Sequence, residues 1–259
     1  MLPLTDTHVH LLAGRDDGPR SLDEALDLCR MLVADGVRIA TAVAHQNALF
    51  PENTPEAITE ATEQLTAALI RQQIPLTVVP TGEVMLGLET ATLWRARKLQ
   101  TIGGHGRHLL VEMPHTVFLD VRPLITAIAD DPIRLVIAHA ERYPELLHDT
   151  GLVEEFIAAG CLIQVTTTAL AEPESAREER TLRDWARRGI IHLLGTDGHR
   201  IGEREPHYQS GYDRLVKWIS RPAAERIASV WGSAVLGGSA IEPPAPRARS
   251  RSWLAGWWS

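Results

Sequence analysis

Histidine and carboxylate side chains recur along this sequence at positions that indicate a metal centre. The stretch from Thr5 to Pro19, TDTHVHLLAGRDDGP, holds two histidines and three carboxylates beside leucines. All but one of the later apolar runs end at or next to a histidine, a glutamate or an aspartate. Imidazole and carboxylate ligands without thiolate suit divalent manganese, iron, zinc or magnesium, of which we expect manganese first. The candidate ligands are His8, His10, Asp17, His45, Glu83, Glu112, His139, Asp197 and His199.

This set of candidate ligands is too large for one ion. With some ligands bridging, it fits about two or three divalent ions per chain. Such a centre lowers the pKa of a bridging water, so that hydroxide forms near neutral pH, and it neutralises the oxygens of a phosphate during in-line displacement. The chemistry indicated is the hydrolysis of a phosphate ester by direct attack of a metal-bridging hydroxide.

The elements that must position these side chains are alternating strands and helices. Alternation predicts parallel pairing and a closed or nearly closed α/β barrel, in which the carboxyl ends of all strands share one rim. An open doubly wound sheet is the alternative, but no GxGxxG follows the first strand. The predicted strands are Pro3–His10, Arg38–His45, Leu76–Glu83, His108–Met113, Arg134–His139, Cys161–Thr167 and Ile190–Asp197. The predicted helices are Ser21–Ala34, Thr54–Gln73, Leu119–Asp130, Leu152–Ala159, Glu174–Arg188, Glu205–Ser220 and Ala223–Val230.

Strand geometry predicts how the ligands meet. Side chains two residues apart lie on the same face of a strand, so His8 with His10, and Asp197 with His199, are expected to point at one place. The Gly18-Pro19 turn is expected to bring Asp17 back to them. Buried imidazoles and carboxylates are costly unless they are paired or metal-bound, and a metal centre explains their repeated placement at strand ends.

Three arginines follow the ligands closely. Arg142 comes three residues after His139, and Arg200 and Arg204 lie just beyond His199. Guanidinium groups bind phosphate oxygens bidentately, although solvated loop arginines would show the same spacing. His115 is placed to line the mouth of the site, and Asp6 to orient an imidazole or assist as an acid. Most of the remaining histidines are expected at the surface or in supporting positions: His105, His108, His148, His192 and His207.

Composition narrows the class of protein. The net charge of −7 argues against a nucleic-acid-binding protein. The two cysteines, Cys29 and Cys161, make no disulfide framework, and neither has an arginine at the spacing a cysteine phosphatase needs. No GxSxG or Walker motif, secretory signal or transmembrane stretch is apparent, so we expect a cytoplasmic enzyme without a covalent nucleophile.

The composition changes at Pro243. Residues 1–242 are expected to form the barrel, and residues 243–259, PPAPRARSRSWLAGWWS, a flexible tail rich in proline, arginine and tryptophan. The arginines and tryptophans of the tail suit weak contact with anionic lipid headgroups. Local packing of the tryptophans against the barrel is the alternative.

Several longer motifs carry a family resemblance. They are DTHVH, DDGPRSLDEAL, TGE, LLVEMP, IAHAERYPEL, GCLIQVT and GTDGH, in order from about residue 4 to about residue 204. The chain resembles the PHP (polymerase and histidinol phosphatase) superfamily of metal-dependent phosphoesterases, which have a distorted (β/α)7 barrel. Within it, HAERY together with DDGP resembles the CpsB-type protein-tyrosine phosphatases of bacterial capsule and exopolysaccharide operons.

The resemblance implies a trinuclear centre held by all the candidate ligands above, with Arg142 and Arg204 as phosphate-binding residues. It also implies a substrate, phosphotyrosine in the tail of a membrane-associated tyrosine autokinase that controls polysaccharide export. One departure is Gln46-Asn47 after His45, where the family often carries a histidine or a basic residue.

Two other functions keep the same residues. One is a small-molecule phosphatase of the histidinol-phosphatase type, and a polymerase-associated nuclease is a related possibility that the acidic charge disfavours. The other is a metal-stabilised regulatory protein without catalysis.

Overall fold

Seven parallel strands form one sheet whose order in space is their order in sequence. The computed structural model describes residues 2–114 and 116–248. His115 and the tail beyond Ala248 therefore lie outside the described residues. The strands are β1 (Leu4–Asp6), β2 (Val37–Gln46), β3 (Thr77–Met85), β4 (His108–Glu112), β5 (Arg134–Ile137), β6 (Leu162–Thr166) and β7 (Leu193–Gly195).

The segment after β1 brings the first strand against the last. The amide of Thr7 donates to the carbonyl of Leu194 at 3.0 Å, and the amide of Asp197 donates to the carbonyl of His8 at 2.7 Å. The amide of His10 donates to the carbonyl of Gly198 at 2.9 Å. The sheet is thus a nearly closed barrel, and the predicted (β/α)7 class is confirmed.

Helices connect successive strands, and further helices follow the last strand. They are α1 (Leu22–Ala34), α2 (Pro55–Arg71), α3 (Thr90–Arg95), α4 (Arg122–Ala127), α5 (Pro144–His148), α6 (Thr150–Ala158), α7 (Thr167–Ala171), α8 (Ala176–Arg188), α9 (Gln209–Trp218), α10 (Arg221–Glu225) and α11 (Gly232–Leu236). A π-helical turn, Arg226–Trp231, joins the last two. Within the described ranges, no helix is both long and apolar enough to cross a bilayer.

Capping residues place the starts of α1 and α2 within one residue of their predicted positions. Ser21 caps α1, its Oγ accepting from the amide of Glu24 at 3.3 Å. The Glu24 carboxylate accepts from the amide of Arg20 at 2.8 Å. The predicted helix 205–220 begins only at Gln209, because the Asp35 carboxylate holds the amides of Tyr208 and Gln209 at 2.7 and 3.0 Å.

The inner face of the barrel changes character along its axis. Toward the amino ends of the strands it is apolar, and the short helix α11 closes this end with Val235 and Leu236. Two residues further along a strand the inner face becomes polar, as from Leu110 to Glu112 in β4. Each apolar side chain buried there stabilises the fold by about 1.5–3 kcal/mol. This apolar layer supports the polar residues at the carboxyl ends of the strands.

Candidate metal centre

All the predicted metal ligands converge at the carboxyl ends of the strands. Their donor atoms form three groups, within each of which the atoms lie no more than 4.8 Å apart. His139 lies beside them, its Nε2 2.9 Å from Oε1 of Glu83. Only Asp17 is largely exposed; His45 is partly buried and the others are buried. The groups are His8, His10, Glu83 and Asp197; His10, Asp17, His45 and His199; and His45, Glu83 and Glu112.

Hydrogen bonds fix the tautomers of the first two histidines. The Gln164 amide donates to Oγ1 of Thr7 at 2.7 Å, so its Oε1 accepts from Nδ1 of His8 at 2.9 Å. Nδ1 of His10 donates to Oδ2 of Asp16 at 2.8 Å. When both rings are neutral, their Nε2 atoms, 3.3 Å apart, therefore present lone pairs to each other. Such a contact is repulsive until a cation is bound, and ligand histidines are oriented in this way through their other nitrogen.

Four further polar atoms of the centre are buried without a hydrogen-bond partner in the described part of the chain. They are Nδ1 of His45, Oε2 of Glu83, Oε1 of Glu112 and Nε2 of His199. Oε2 of Glu83 is 3.2 Å from ring nitrogens of His8, His10 and His45, yet none of these contacts has hydrogen-bond geometry. Unpaired buried polar atoms cost free energy. The donor set fits divalent cations, which would satisfy all four atoms.

The pKa values of two candidate ligand histidines also indicate that the centre attracts positive charge. Burial alone would lower the pKa of His10, but the charge of Asp16, the hydrogen bond to Asp16 and the nearby carboxylate of Glu83 outweigh burial and raise it to about 9. In the same way, burial of His45 is outweighed by the nearby carboxylates of Asp17, Glu112 and Glu83, which raise its pKa to about 11. The carboxylates of the centre attract cations strongly, whether protons or metal ions.

Backbone geometry at two strand ends is unusual. His139 and Asp197 have φ angles of 33° and 51°, the left-handed region that non-glycine residues rarely enter. Each such residue costs about 1–3 kcal/mol and is typical of functional sites. The backbone of β7 at Gly195 lies very close to His8, since a Cβ on Gly195 would be only 2.5 Å from Cβ of His8. Glycine there lets β7 pass beside the first ligand.

Two of the three predicted arginines point at the centre. Arg142 and Arg204 both contact Oδ2 of Asp197, Nη1 of Arg204 at 2.6 Å. Arg200 is instead engaged at the edge, its Nε 3.4 Å from Glu24 and its Nη1 2.8 Å from Glu203. It lines an open pocket of 590 Å³ together with Asp16, Asp17, Gly18, Arg20, His199, Glu203 and Arg204.

Several supporting residues were missed or misassigned from the sequence. Asp16, adjacent to the predicted Asp17, holds His10 and also accepts from the amide of His45 at 3.0 Å. Asp6 does not orient an imidazole; it accepts from the amide of His8 at 3.0 Å and from Oγ1 of Thr196 at 2.6 Å, joining β1 to β7. The only feature of the sequence that indicated a role for Asp16 was its position next to the predicted ligand Asp17.

Two histidines expected at the surface or in supporting positions are buried elsewhere. His108 opens β4 and His192 precedes β7, at the opposite end of the barrel from the metal centre. The alternation of side chains along a strand does not predict the burial of these two histidines, because both lie at the starts of strands.

The loop after β2 holds the departure from the family pattern. The Gln46 side chain donates to the carbonyl of Asn53 at 2.7 Å and accepts from the amide of Gln100 at 2.7 Å. It therefore ties two loops together. Phe50, from the same loop, stacks on the ring of His45 with centroids 5.9 Å apart.

Comparison with known proteins agrees with the geometry of the site. Residues 4–236 match the family model for capsular polysaccharide synthesis, CpsB/CapC. The chain belongs to the CpsB/CapC family. Tyrosine-protein phosphatase YwqE of Bacillus subtilis is 28% identical over 219 residues, which are 83% of this chain and 84% of the relative. Tyrosine-protein phosphatase CpsB of Streptococcus pneumoniae is 26% identical over 230 residues, 86% of this chain and 94% of the relative.

Solved structures give the same relationship. A chain from the crystal structures of YwqE and CpsB, described as metal-dependent tyrosine phosphatases, superposes with a TM-score of 0.86 at 26% identity. The match covers 94% of this chain and 98% of that chain. A variant organophosphorus hydrolase from Deinococcus radiodurans, with a TM-score of 0.56 and 15% identity, shares the fold.

Proposed function

We propose that this family member is a metal-dependent protein-tyrosine phosphatase. The observation that carries the proposal is the close approach of the Nε2 atoms of His8 and His10, which lie beside unpartnered carboxylate oxygens and are flanked by two arginines. The phosphatase names of the CpsB and YwqE relatives support the reaction.

The candidate ligands would hold two or three divalent ions, with manganese expected first. Each imidazole nitrogen has one lone pair, so Nε2 of His10 serves only one of the two groups that contain it. Glu83 has two oxygens and can bridge, since Oε2 faces His8 and Oε1 faces His139. Bound ions supply a hydroxide nucleophile near neutral pH and neutralise phosphate oxygens.

Arg142 and Arg204 are proposed to bind the non-bridging phosphate oxygens. Both guanidinium groups now share one carboxylate oxygen of Asp197, and a phosphate offers them a second anionic acceptor at the same place. Arg200 would have to leave Glu24 and Glu203 to reach substrate, and its role stays a prediction.

The leaving group makes modest demands on the protein. Tyrosine has a pKa of about 10, so its phenolate departs with a weak general acid or none. Asp6 is buried and fully hydrogen-bonded to the backbone of His8 and to Thr196, so it is not placed to donate a proton to substrate.

The proposed substrate is phosphotyrosine on a protein partner, namely the tail of a membrane-associated tyrosine autokinase that acts in exopolysaccharide or capsule synthesis. Membership of the capsular polysaccharide family supports the pathway. A cytoplasmic location is part of the same proposal, because the partner's phosphorylated tail would be there.

The test compares substrates and arginine variants. The wild-type protein should hydrolyse a phosphotyrosyl peptide faster than histidinol phosphate, and a chelator should abolish turnover. Arg142→Ala and Arg204→Ala should each lower kcat/KM about a hundredfold or more, which corresponds to a loss of a few kcal/mol of transition-state stabilisation. The metal content of both variants should be unchanged. Arg71→Ala, on the exposed end of α2, is the matched control. Turnover that survives complete metal removal would refute the proposal, and loss of metal in Arg142→Ala would make that residue structural.

A further inference from the structure

A large groove lies beside the metal centre, between the loop that follows β2 and the loop that follows β3. Its volume is 780 Å³, and it is called here the apolar groove. The apolar side chains that line it include Phe50, Met85, Leu86, Leu88 and Leu93. Leu88 is fully exposed at its edge. Exposed apolar surface of this kind, bordered by polar residues, is typical of a binding site.

The apolar groove is continuous with the metal centre. The ring of Phe50 stacks on the ring of the candidate ligand His45 with an interplanar angle of 11°. Met85 follows the candidate ligand Glu83 by two residues, so both side chains lie on the same face of β3. A molecule held at the metal centre therefore has Phe50 and Met85 beside it, with the rest of the groove beyond them.

Charge distinguishes the apolar groove from the other side of the metal centre. In the described part of the chain, the ionisable residues that line the groove are Glu56, Glu89, Arg97 and Lys98. Their formal charges cancel. The proposed phosphate-binding residues Arg142 and Arg204 follow β5 and β7, whereas the groove follows β2 and β3. The metal centre thus has an anion-binding side and a neutral, apolar side.

Side-chain hydrogen bonds hold the walls of the apolar groove in place. Nε2 of Gln46 donates to the carbonyl of Asn53 at 2.7 Å and to the carbonyl of Lys98 at 3.3 Å. The Asn53 amide in turn donates to the carbonyls of Arg15 and His45 at 3.0 and 2.9 Å. The groove is therefore formed before anything binds, which lowers the entropic cost of binding.

We propose that the apolar groove binds an apolar side chain next to the phosphotyrosine of the protein substrate. The inference rests on the proposed function, because a phosphotyrosine at the metal centre brings its neighbours in the peptide to Phe50 and the groove. The tyrosine ring is rigid and holds the peptide chain away from the phosphate, at the level of the exposed loops. Burial of an apolar side chain in the groove removes apolar surface from water on both partners. The groove then selects the sequence of the substrate, whereas the metal centre and the arginines select its phosphate.

Peptide binding to the manganese-loaded full-length protein tests the inference. The peptides carry difluoromethylphosphonate in place of the phosphate of phosphotyrosine, so they are not hydrolysed. Their background is glycine and serine, with one leucine at any of the three positions on either side. At the best position, leucine should tighten binding at least about tenfold over serine, as fluorescence anisotropy would show. Phosphotyrosyl peptides of the same sequences should show this preference in kcat/KM, mainly through KM.

Two substitutions in the apolar groove should remove the preference for leucine. A Cβ on Gly87 would meet no atom within 4 Å, so the side chain of Gly87→Trp has room to occupy the groove. Leu88→Ser removes apolar surface at the edge, and Leu88→Met keeps it. The ratio of leucine-peptide to serine-peptide affinity should fall at least about fivefold in Gly87→Trp and Leu88→Ser and stay within about twofold in Leu88→Met. Ile70→Trp, at an exposed position near the far end of α2, is the matched control.

The other outcomes separate the groove from the phosphatase activity. Equal affinity of the wild type for leucine and serine peptides at every position would overturn the inference, even if both phosphopeptides were hydrolysed. An equal loss for both peptides in Gly87→Trp would also overturn it, because the groove would then act only through the metal centre. Leucine-dependent binding without hydrolysis of any phosphopeptide would refute the proposed function and leave the groove as a peptide-binding site.

Discussion

Histidines are buried at both ends of this barrel, and their neighbours give them opposite properties. At the carboxyl ends of the strands, carboxylates outweigh burial and raise the pKa of His10 to about 9. At the amino ends, burial lowers the pKa of His192 to about 4, and the charge of Arg134 lowers it further. The residue type and the burial are the same. The sign of the neighbouring charge distinguishes a candidate metal ligand from a neutral structural histidine.

The two ends also differ in how their ring nitrogens are used. Nε2 of His8 faces Nε2 of His10 and the oxygens of Glu83 and Asp197. Nδ1 of His192 instead accepts from the amide of Ile163 at 3.0 Å and lies within the ladder between β6 and β7. Converging donors indicate a site for cations, whereas a single backbone partner indicates support of the fold.

The largest expected effect comes from the carboxylate at the middle of the centre. Glu83→Gln removes a charge that approaches four histidines and should lower kcat for phosphotyrosyl peptide by about a thousandfold or more, because the loss of metal removes several kcal/mol of stabilisation. Metal content per chain should fall with it, as elemental analysis would show. Glu145→Gln, on the exposed side of α5, is the control, and equal turnover by both variants would contradict the role of Glu83.

A smaller effect, on metal affinity, is expected for Asp16, which contacts the candidate ligand His10. Asp16→Asn weakens the hydrogen bond that orients His10 and should lower metal affinity about 10- to 100-fold, as losses of such supporting contacts do. Competition with a fluorescent chelator measures this affinity. Asp23→Asn, in the exposed first turn of α1, should leave it unchanged. If Asp16→Asn bound metal like the wild type, the tautomer of His10 would not depend on Asp16.

At the amino ends of the strands, protonation of His192 is expected to affect stability and not activity. The folded pKa of His192 is about 4, below the usual value of 6.5, so the unfolded chain takes up the proton first as pH falls. The resulting stability is complete above pH 6.5 and is lost as pH falls toward 4, about 3 kcal/mol in all.

Denaturant unfolding of wild type and His192→Asn at pH 7 and pH 5 tests this prediction. Asparagine keeps an acceptor for the amide of Ile163 but does not titrate, so its free energy of unfolding should fall less with pH than that of the wild type. His207→Asn, at an exposed position, should behave like the wild type. Parallel pH dependence in wild type and His192→Asn would show that the burial of His192 has no such cost.

The sequence predicted the architecture and the convergence of donors because both follow from strand period and parallel order. It did not distinguish the roles of Asp16 and Asp17, since the fold of one loop decides which carboxylate turns inward. Gln164 was missed as well, because a single polar residue inside a buried strand gives no sign that its partners are Thr7 and His8 just after β1. The burial of His192 was not predicted either, because its ring packs against Trp231, with centroids 6.2 Å apart, and Trp231 lies far along the chain.

The count of metal ions in the purified full-length protein tests the central claim most directly. Metal-free protein dialysed against manganese should take up two or three ions per chain, and its hydrolysis of phosphotyrosyl peptide should rise in step with loading. Uptake of less than one ion per chain by a protein that is fully active on that peptide would contradict the claim that the histidines and carboxylates at this rim form a catalytic metal centre.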